Sequence, residues 1–209
     1  MHRLRRPGAE FLRLAVLGAA LAVGATALSA HAKQPSQREL AALFSALEKT
    51  DAVVEGASSG KHLLYVFFDA NCWYCHLTWK ALQPYERVGL QVRWVPVAYQ
   101  KDSSVTRAAA IMLAKDRVAA LRENEAHYRT ESYDGGIAPA HATPEFAAQL
   151  AANTELMGRF GAPGTPLLVW RDQQGEVWLK VGMPRLSQLP TITGLPAQEN
   201  SDPELQAFR

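Results

Sequence analysis

The 209-residue sequence has only two cysteines, and it has no excess of basic residues once its first 32 residues are set aside. Two thiols cannot build a disulfide-rich scaffold or a four-thiolate zinc site. Residues 33–209 carry 18 basic and 19 acidic side chains, which excludes a basic surface for nucleic acid. With 48% hydrophobic and 20% charged residues, the composition is that of neither a disordered chain nor a membrane bundle.

Long hydrophobic runs are also missing, apart from one near the N-terminus. Residues 14–28 form an uncharged apolar run after four arginines, and Ala30 and Ala32 are the small residues that a signal peptidase requires. This run is shorter than the roughly 20 residues that span a bilayer. Residues 1–32 are therefore predicted to be a cleaved signal peptide, which places the mature protein in the periplasm, where disulfides persist.

The rest of the chain alternates between helical and extended patterns. Apolar residues recur with helical spacing over residues 36–49, so residues 33–61 are predicted to be an N-terminal helix and linker. A buried strand is predicted at 62–68, followed by a helix from Cys72 that Pro84 should kink or end and by a strand at 90–98. Residues 104–130 are predicted to form two helices, or one helix broken near Asp116. A helix after Thr143, a hairpin from strands 167–171 and 176–181, and a short helix at 186–192 complete the order. This order predicts an α/β fold with a mixed central sheet flanked by helices, followed by a loose tail at 195–209.

The two cysteines lie where the first predicted strand ends and a helix begins. Cys72 should stand at the N-terminus of that helix, where unpaired N–H groups and the helix dipole lower the pKa of its thiol below about 8.5. Cys75 follows one turn later on the same side, where it can attack a mixed disulfide formed at Cys72. The spacing thus predicts a nucleophile and a resolving thiol.

Other interpretations of this pair stay open. A structural disulfide would close so small a loop that it would contribute little stability, and a zinc site would lack ligands beyond His76 and the two thiolates. The C-x-x-C-H spacing of residues 72–76 is also the attachment signature of c-type haem, with His76 and either Met157 or Met183 as axial ligands. An exported electron-transfer cytochrome is therefore an alternative.

Thr165 and Pro166 stand directly before the predicted hairpin. Proline has no N–H to donate to a sheet, so it belongs at a sheet edge or at a special peptide bond. On frequency alone the Thr165–Pro166 bond is expected to be trans, because only about 5–6% of X-Pro bonds in folded proteins are cis.

Together these residues resemble the thioredoxin superfamily and, within it, the periplasmic disulfide isomerases DsbC and more closely DsbG. The similar stretch runs from Leu64 to about Gly182 and joins the C-x-x-C motif to the strand before it, the proline-containing helix after it and the Thr-Pro pair. The resemblance implies a thioredoxin-fold catalytic domain over 62–194, with a helical insertion at about 104–160. It also implies that Thr165–Pro166 is cis, faces Cys72 and pairs with an extended substrate.

The function that the resemblance implies is that of a periplasmic thiol-disulfide oxidoreductase, an isomerase or reductase that uses Cys72 and Cys75. Its substrates would be misoxidised or sulfenylated secreted proteins, a membrane partner of the DsbD type would keep it reduced, and no bound cofactor or metal is needed. Trp73, Tyr74 and His76 are candidates for setting access and redox potential. A non-catalytic binding module on the same scaffold is a further alternative.

Two features depart from that group. Trp73 and Tyr74 stand between the cysteines where the group has Pro-Tyr, so its redox potential cannot be carried over. Only residues 33–61 precede the first catalytic strand, where the group has a dimerisation domain, so the homodimer is not implied. As a monomer the protein would be open to oxidation and could act as a reductase or oxidase instead of an isomerase.

Overall fold

The computed structural model describes residues 35–58 and 60–209, so the predicted signal peptide lies outside the described residues. The strands are β1 (Val53–Gly56), β2 (His62–Phe68), β3 (Leu90–Pro96), β4 (Leu167–Arg171) and β5 (Val177–Val181). The helices are α1 (Gln37–Leu47), α2 (Trp73–Glu86), α3 (Ser104–Met112), α4 (Arg117–Ala126), α5 (Pro144–Arg159) and α6 (Leu189–Thr193), with 3₁₀ helices at Leu186–Gln188 and Pro203–Phe208. Across the described ranges, no helix is long and apolar enough to cross a membrane.

The five strands form one mixed sheet in the order β1-β3-β2-β4-β5. The central strand β2 pairs in parallel with β3 and antiparallel with β4, while β1 and β5 are antiparallel edge strands. Five of the seven residues of β2 are buried, as its continuous apolar run predicts. The predicted mixed sheet flanked by helices is therefore confirmed.

Alternate residues of β2 contribute to two hydrophobic clusters. Val66 and Phe68 pack in the cluster that also holds residues of α2, whereas Tyr65 and Phe67 pack in a second cluster with α1. Because successive side chains of a strand point to opposite faces, the sheet has a buried layer on each side. The helix that carries the cysteines is thus anchored on the central strand.

The segment 33–61 was predicted to be a helix followed by a linker, and the structure differs from this prediction. The segment also contains β1, which pairs with β3 in a register that places Val53 opposite Trp94. The strand has only four residues, and its buried and exposed positions alternate, so its sequence pattern is too short to stand out. Val53–Gly56 is therefore an edge strand of the sheet and not part of a linker.

Most helix boundaries follow local signals. Asp116 is the N-cap of α4, and its carboxylate accepts a hydrogen bond from the Ala119 N–H at 2.9 Å. This cap separates α3 from α4 at the predicted break. Thr143 caps α5 in the same way. Pro84 does not end α2, which continues to Glu86.

The tail at 195–209 is not loose, contrary to the prediction. Its 3₁₀ helix Pro203–Phe208 packs on α2, and Leu205 is fully buried in the cluster on the α2 face of the sheet. Lys80 of α2 lies 3.0 Å from the Asp202 carboxylate and forms an ion pair with Glu204. A single buried leucine has no periodic pattern around it, so the sequence offered no signal for this contact.

We expect Leu205→Ala to lower the free energy of unfolding by about 2–5 kcal/mol, because it leaves a cavity under the tail. Urea denaturation measures the change. Gln206→Ala, at an exposed neighbouring position, is the matched control and should change stability by less than about 0.5 kcal/mol. Equal stability of the two variants would mean that the tail contributes nothing to the fold.

Candidate functional site

Cys72 stands at the N-cap of α2, just beyond the end of β2. Its sulfur accepts a hydrogen bond from the Cys75 backbone N–H at 3.2 Å, so it uses one of the donors that a helix N-terminus leaves free. Both thiols are free, and both cysteines are buried, Cys72 with 2% and Cys75 with 1% of its surface exposed. The structure thus brings the two cysteines together at the predicted place.

The environments of the two thiols differ. Burial raises the pKa of Cys72, but hydrogen bonds with Cys75 and Thr165 outweigh that effect and hold this pKa below its ordinary value. Burial raises the pKa of Cys75 well above its ordinary value, and the neighbouring Cys72 raises it further. The direction predicted for Cys72 is confirmed, and Cys72 is the thiol of the pair that ionises more readily.

Thr165 and Pro166 lie against Cys72. The peptide bond between them is cis, which corrects the expectation from frequency and agrees with the one from the resemblance. The Cys72 thiol donates to the Thr165 carbonyl oxygen at 3.6 Å across 93 positions of sequence. The structure therefore places Thr165 beside Cys72.

Asp69 organises the loops around the cysteines, a role that the sequence analysis missed. Its buried carboxylate accepts hydrogen bonds from the Asn71 N–H and the Ser104 hydroxyl at 2.9 and 2.8 Å. Its second oxygen accepts from the N–H groups of Tyr99 and Gln100 at 2.9 and 3.1 Å. The only local signal was an acidic residue directly after an apolar strand. This pattern is equally typical of an ordinary strand end, so it did not indicate the role of Asp69.

The two residues between the cysteines have different surroundings. Trp73 is partly buried and stacks on the His76 ring, with 5.4 Å between the ring centroids. Tyr74 is 51% exposed and meets the ring of Phe208 edge to face. Tyr74 therefore presents an aromatic surface beside Cys72, whereas Trp73 belongs to a stack of rings.

His76 is buried between two carboxylates. Its Nδ1 lies 3.2 Å from Glu125 and its Nε2 lies 3.5 Å from Glu204 of the C-terminal 3₁₀ helix. The ring also stacks on Tyr128, with 4.7 Å between centroids. These three partners lie far from His76 in the sequence, so no local pattern could identify them.

The haem and zinc alternatives do not fit this arrangement. Haem attachment would join both sulfurs to the porphyrin, but Cys75 is buried in the core, and both nitrogens of His76 are engaged by carboxylates. Met157 packs in the second cluster, whereas Cys72 belongs to the first. Met183 shares the first cluster, and its sulfur accepts a hydrogen bond from the Thr78 hydroxyl at 3.1 Å. Within residues 35–58 and 60–209, no group of three or more His, Cys, Asp and Glu side chains could hold a metal ion.

Comparisons with known proteins agree with this geometry. Residues 50–189 match the family described as Thioredoxin-like domain. The chain is 28% identical over 154 residues to the thiol:disulfide interchange protein DsbG of Pseudomonas aeruginosa, with 73% of this chain and 59% of that protein covered. It is 33% identical over 123 residues to the thiol:disulfide interchange protein DsbC of Haemophilus influenzae, with 58% and 49% covered.

Among solved structures, the catalytic domain of Proteus mirabilis ScsC has a similar fold, with a TM-score of 0.54 and 22% identity. The similarity covers 77% of this chain and 97% of that domain. The chain spans about half to three-fifths of the length of the two curated relatives.

Proposed function

The chain belongs to the thioredoxin-like domain family, and on that basis we propose that it is a thiol-disulfide oxidoreductase of the DsbG/DsbC type that exchanges disulfides with secreted proteins. The observation that carries this proposal is the placement of the pair: Cys72 is the N-cap of α2, and its sulfur accepts a hydrogen bond from the Cys75 N–H at 3.2 Å. The two thiols differ accordingly, since the pKa of Cys72 is lowered and that of Cys75 is raised. Since the thiolate is the attacking species, Cys72 is the nucleophile and Cys75 the resolving thiol.

The exchange proceeds in two balanced steps. The Cys72 thiolate attacks one sulfur of a substrate disulfide, a new S–S bond forms, and the other substrate sulfur leaves as a thiolate that takes a proton from water. Cys75 then gives up its proton and attacks the Cys72 sulfur, which forms the Cys72–Cys75 disulfide and releases the second substrate thiolate. The substrate has gained two electrons from the pair. If a different thiolate of the substrate instead attacks the substrate sulfur of the mixed disulfide, a new disulfide forms within the substrate and Cys72 leaves as the thiolate. The substrate is then isomerised, and the pair stays reduced.

Thr165 and Pro166 are the proposed substrate-binding residues. The Thr165 backbone lies beside the Cys72 sulfur, where an extended polypeptide can pair with it through main-chain hydrogen bonds. Such pairing is independent of side chains, which suits an enzyme that acts on many proteins. Trp73, Tyr74 and His76 are proposed to set access and redox potential, since they adjoin the two cysteines in the chain. Trp73 stacks on His76, and Tyr74 meets Phe208 edge to face.

The proposed setting is the periplasm, after removal of residues 1–32. The arginine-rich start and apolar run of this segment support export. A reductase or isomerase needs an electron source, and a membrane reductant of the DsbD type is proposed for this role. The substrates are proposed to be secreted proteins with wrong disulfides or oxidised single cysteines.

The decisive experiment uses Cys75→Ala. Without a resolving thiol, mixed disulfides between Cys72 and substrates should accumulate as bands of higher mass that disappear on reduction. Periplasmic extracts quenched with acid and alkylated are analysed on non-reducing gels. The matched control is Cys72→Ser combined with Cys75→Ala, which should trap nothing; equal trapping by both proteins, or none by the single variant, would refute the assigned roles.

A further inference from the structure

The backbone edge beside Cys72 is covered by another part of the chain. The Thr165 N–H donates a hydrogen bond to the phenol oxygen of Tyr99 at 2.7 Å. The same phenol oxygen lies 3.0 Å from the Thr165 hydroxyl oxygen. Tyr99 follows β3 in the chain and is 44% exposed, so its ring lies at the surface over this edge.

This N–H is the group that an incoming strand would require. In a hydrogen-bonded pair of antiparallel strands, one residue donates its N–H to the partner and accepts through its C=O. Pro166 has no N–H, so pairing at these two residues depends on the Thr165 N–H. A polypeptide that pairs here must first displace the Tyr99 phenol.

We propose that Tyr99 is a cover for the substrate-pairing edge. Its phenol oxygen occupies the Thr165 N–H as hydrogen-bond acceptor in the free protein, and it must rotate away before an extended polypeptide can bind there. This inference rests on the proposed function. Tyr99 would then determine specificity. It would hinder the binding of substrates that pair through their main chain, and it would not affect small disulfides, which need no such pairing.

The anchoring of Tyr99 suits a movable cover. Its backbone N–H is held by the buried Asp69 carboxylate at 2.9 Å, so the main chain is fixed while the half-exposed side chain can rotate. Burial raises the pKa of the phenol, so it is neutral and can accept from the Thr165 N–H while it donates to the hydroxyl. Gln100 also reaches Thr165, but it donates to the hydroxyl at 3.2 Å and leaves the N–H untouched.

The test compares Tyr99→Phe with Gln100→Ala. Phenylalanine keeps the ring and removes the oxygen over the N–H, so kcat/KM for a peptide disulfide should rise about two- to tenfold, mainly through a lower KM. The ratio of this value to that for hydroxyethyl disulfide should rise as well. Gln100→Ala should produce no such rise, because the phenol stays in place. Amide hydrogen exchange should show faster exchange of the Thr165 N–H in free Tyr99→Phe than in the wild type.

Each outcome decides the proposal. An unchanged or lower kcat/KM for the peptide in Tyr99→Phe would mean that the phenol orders the loop or binds substrate, and the cover would be wrong. An equal rise in Gln100→Ala would assign the effect to loosening of the loop and overturn it too. If the wild type exchanged neither disulfide, the proposed function itself would fail, whereas an active wild type with an inert Tyr99→Phe contradicts only the cover.

Discussion

Cys72→Ser is expected to reduce disulfide exchange to the background rate, a loss of about 10³-fold or more. The hydroxyl that replaces the thiol does not ionise near neutral pH and does not attack a disulfide sulfur, so no mixed disulfide can form. Cys75 cannot take over, because burial keeps the pKa of its thiol well above the ordinary value. The rate is measured with a peptide disulfide whose fluorescence increases when the bond is cleaved.

The matched control is Cys75→Ser, which makes the same chemical change three residues further on. It keeps the nucleophile, so it should release one substrate thiol per protein molecule in a rapid first step and then stop. Thermal unfolding of both variants checks that the core around the buried cysteines is intact. Full exchange activity in Cys72→Ser would show that Cys72 is not the nucleophile, whereas a wild type without exchange activity would favour the non-catalytic binding module.

Stability is expected to fall as the pH rises through the neutral range, because of Glu86 at the end of α2. Its side chain is buried, and this burial, with the charge of Glu55 beside it, raises its pKa from 4.5 to about 8. Between these two values the folded protein holds a proton that the unfolded chain has lost. The free energy of unfolding therefore decreases with rising pH across this window, by roughly 3–5 kcal/mol in all, and levels off above it.

The surroundings of Glu86 explain why its negative charge is only partly compensated, although Arg122 and Arg87 lower its pKa somewhat. Glu55 takes the available partners, since its carboxylate accepts from Arg122 at 2.7 Å and from the Trp79 indole N–H at 3.1 Å. Glu86 receives one long contact of 3.4 Å from Gln83, and its other oxygen is buried without a hydrogen-bond partner among the described residues. An ionised Glu86 would add a second negative charge to this buried site.

The Glu86→Gln variant removes the charge of this side chain and keeps its packing. The amide has nearly the same shape and no charge, so the variant should be more stable than the wild type at about pH 8 and should lose most of the pH dependence. Chemical denaturation from about pH 5 to about pH 9 measures both effects. Glu131→Gln, at an exposed position, should leave the dependence unchanged; a Glu86→Gln variant with the wild-type pH dependence would show that other groups cause it.

The sequence alone determined the features that depend on neighbouring residues. The apolar run of β2, the break of the helices at Asp116 and the N-cap position of Cys72 were all predicted correctly. Strand and helix periodicity and capping hydrogen bonds arise within a few residues, so a local pattern is sufficient to specify them. The lowered pKa of Cys72 follows in part from the same local geometry, through the hydrogen bond with Cys75, and in part from the distant Thr165.

Which distant groups surround the cysteine pair depends on how the whole chain packs. Thr165 lies against Cys72, as the family resemblance implied although no local pattern showed it, and its N–H donates to Tyr99, which nothing in the sequence indicated. The carboxylates around His76 and the burial of Leu205 likewise depend on how the tail and α4 pack. Such contacts follow from the burial of apolar surface across the whole fold, which is non-directional and leaves no periodic pattern in the residues that it brings together.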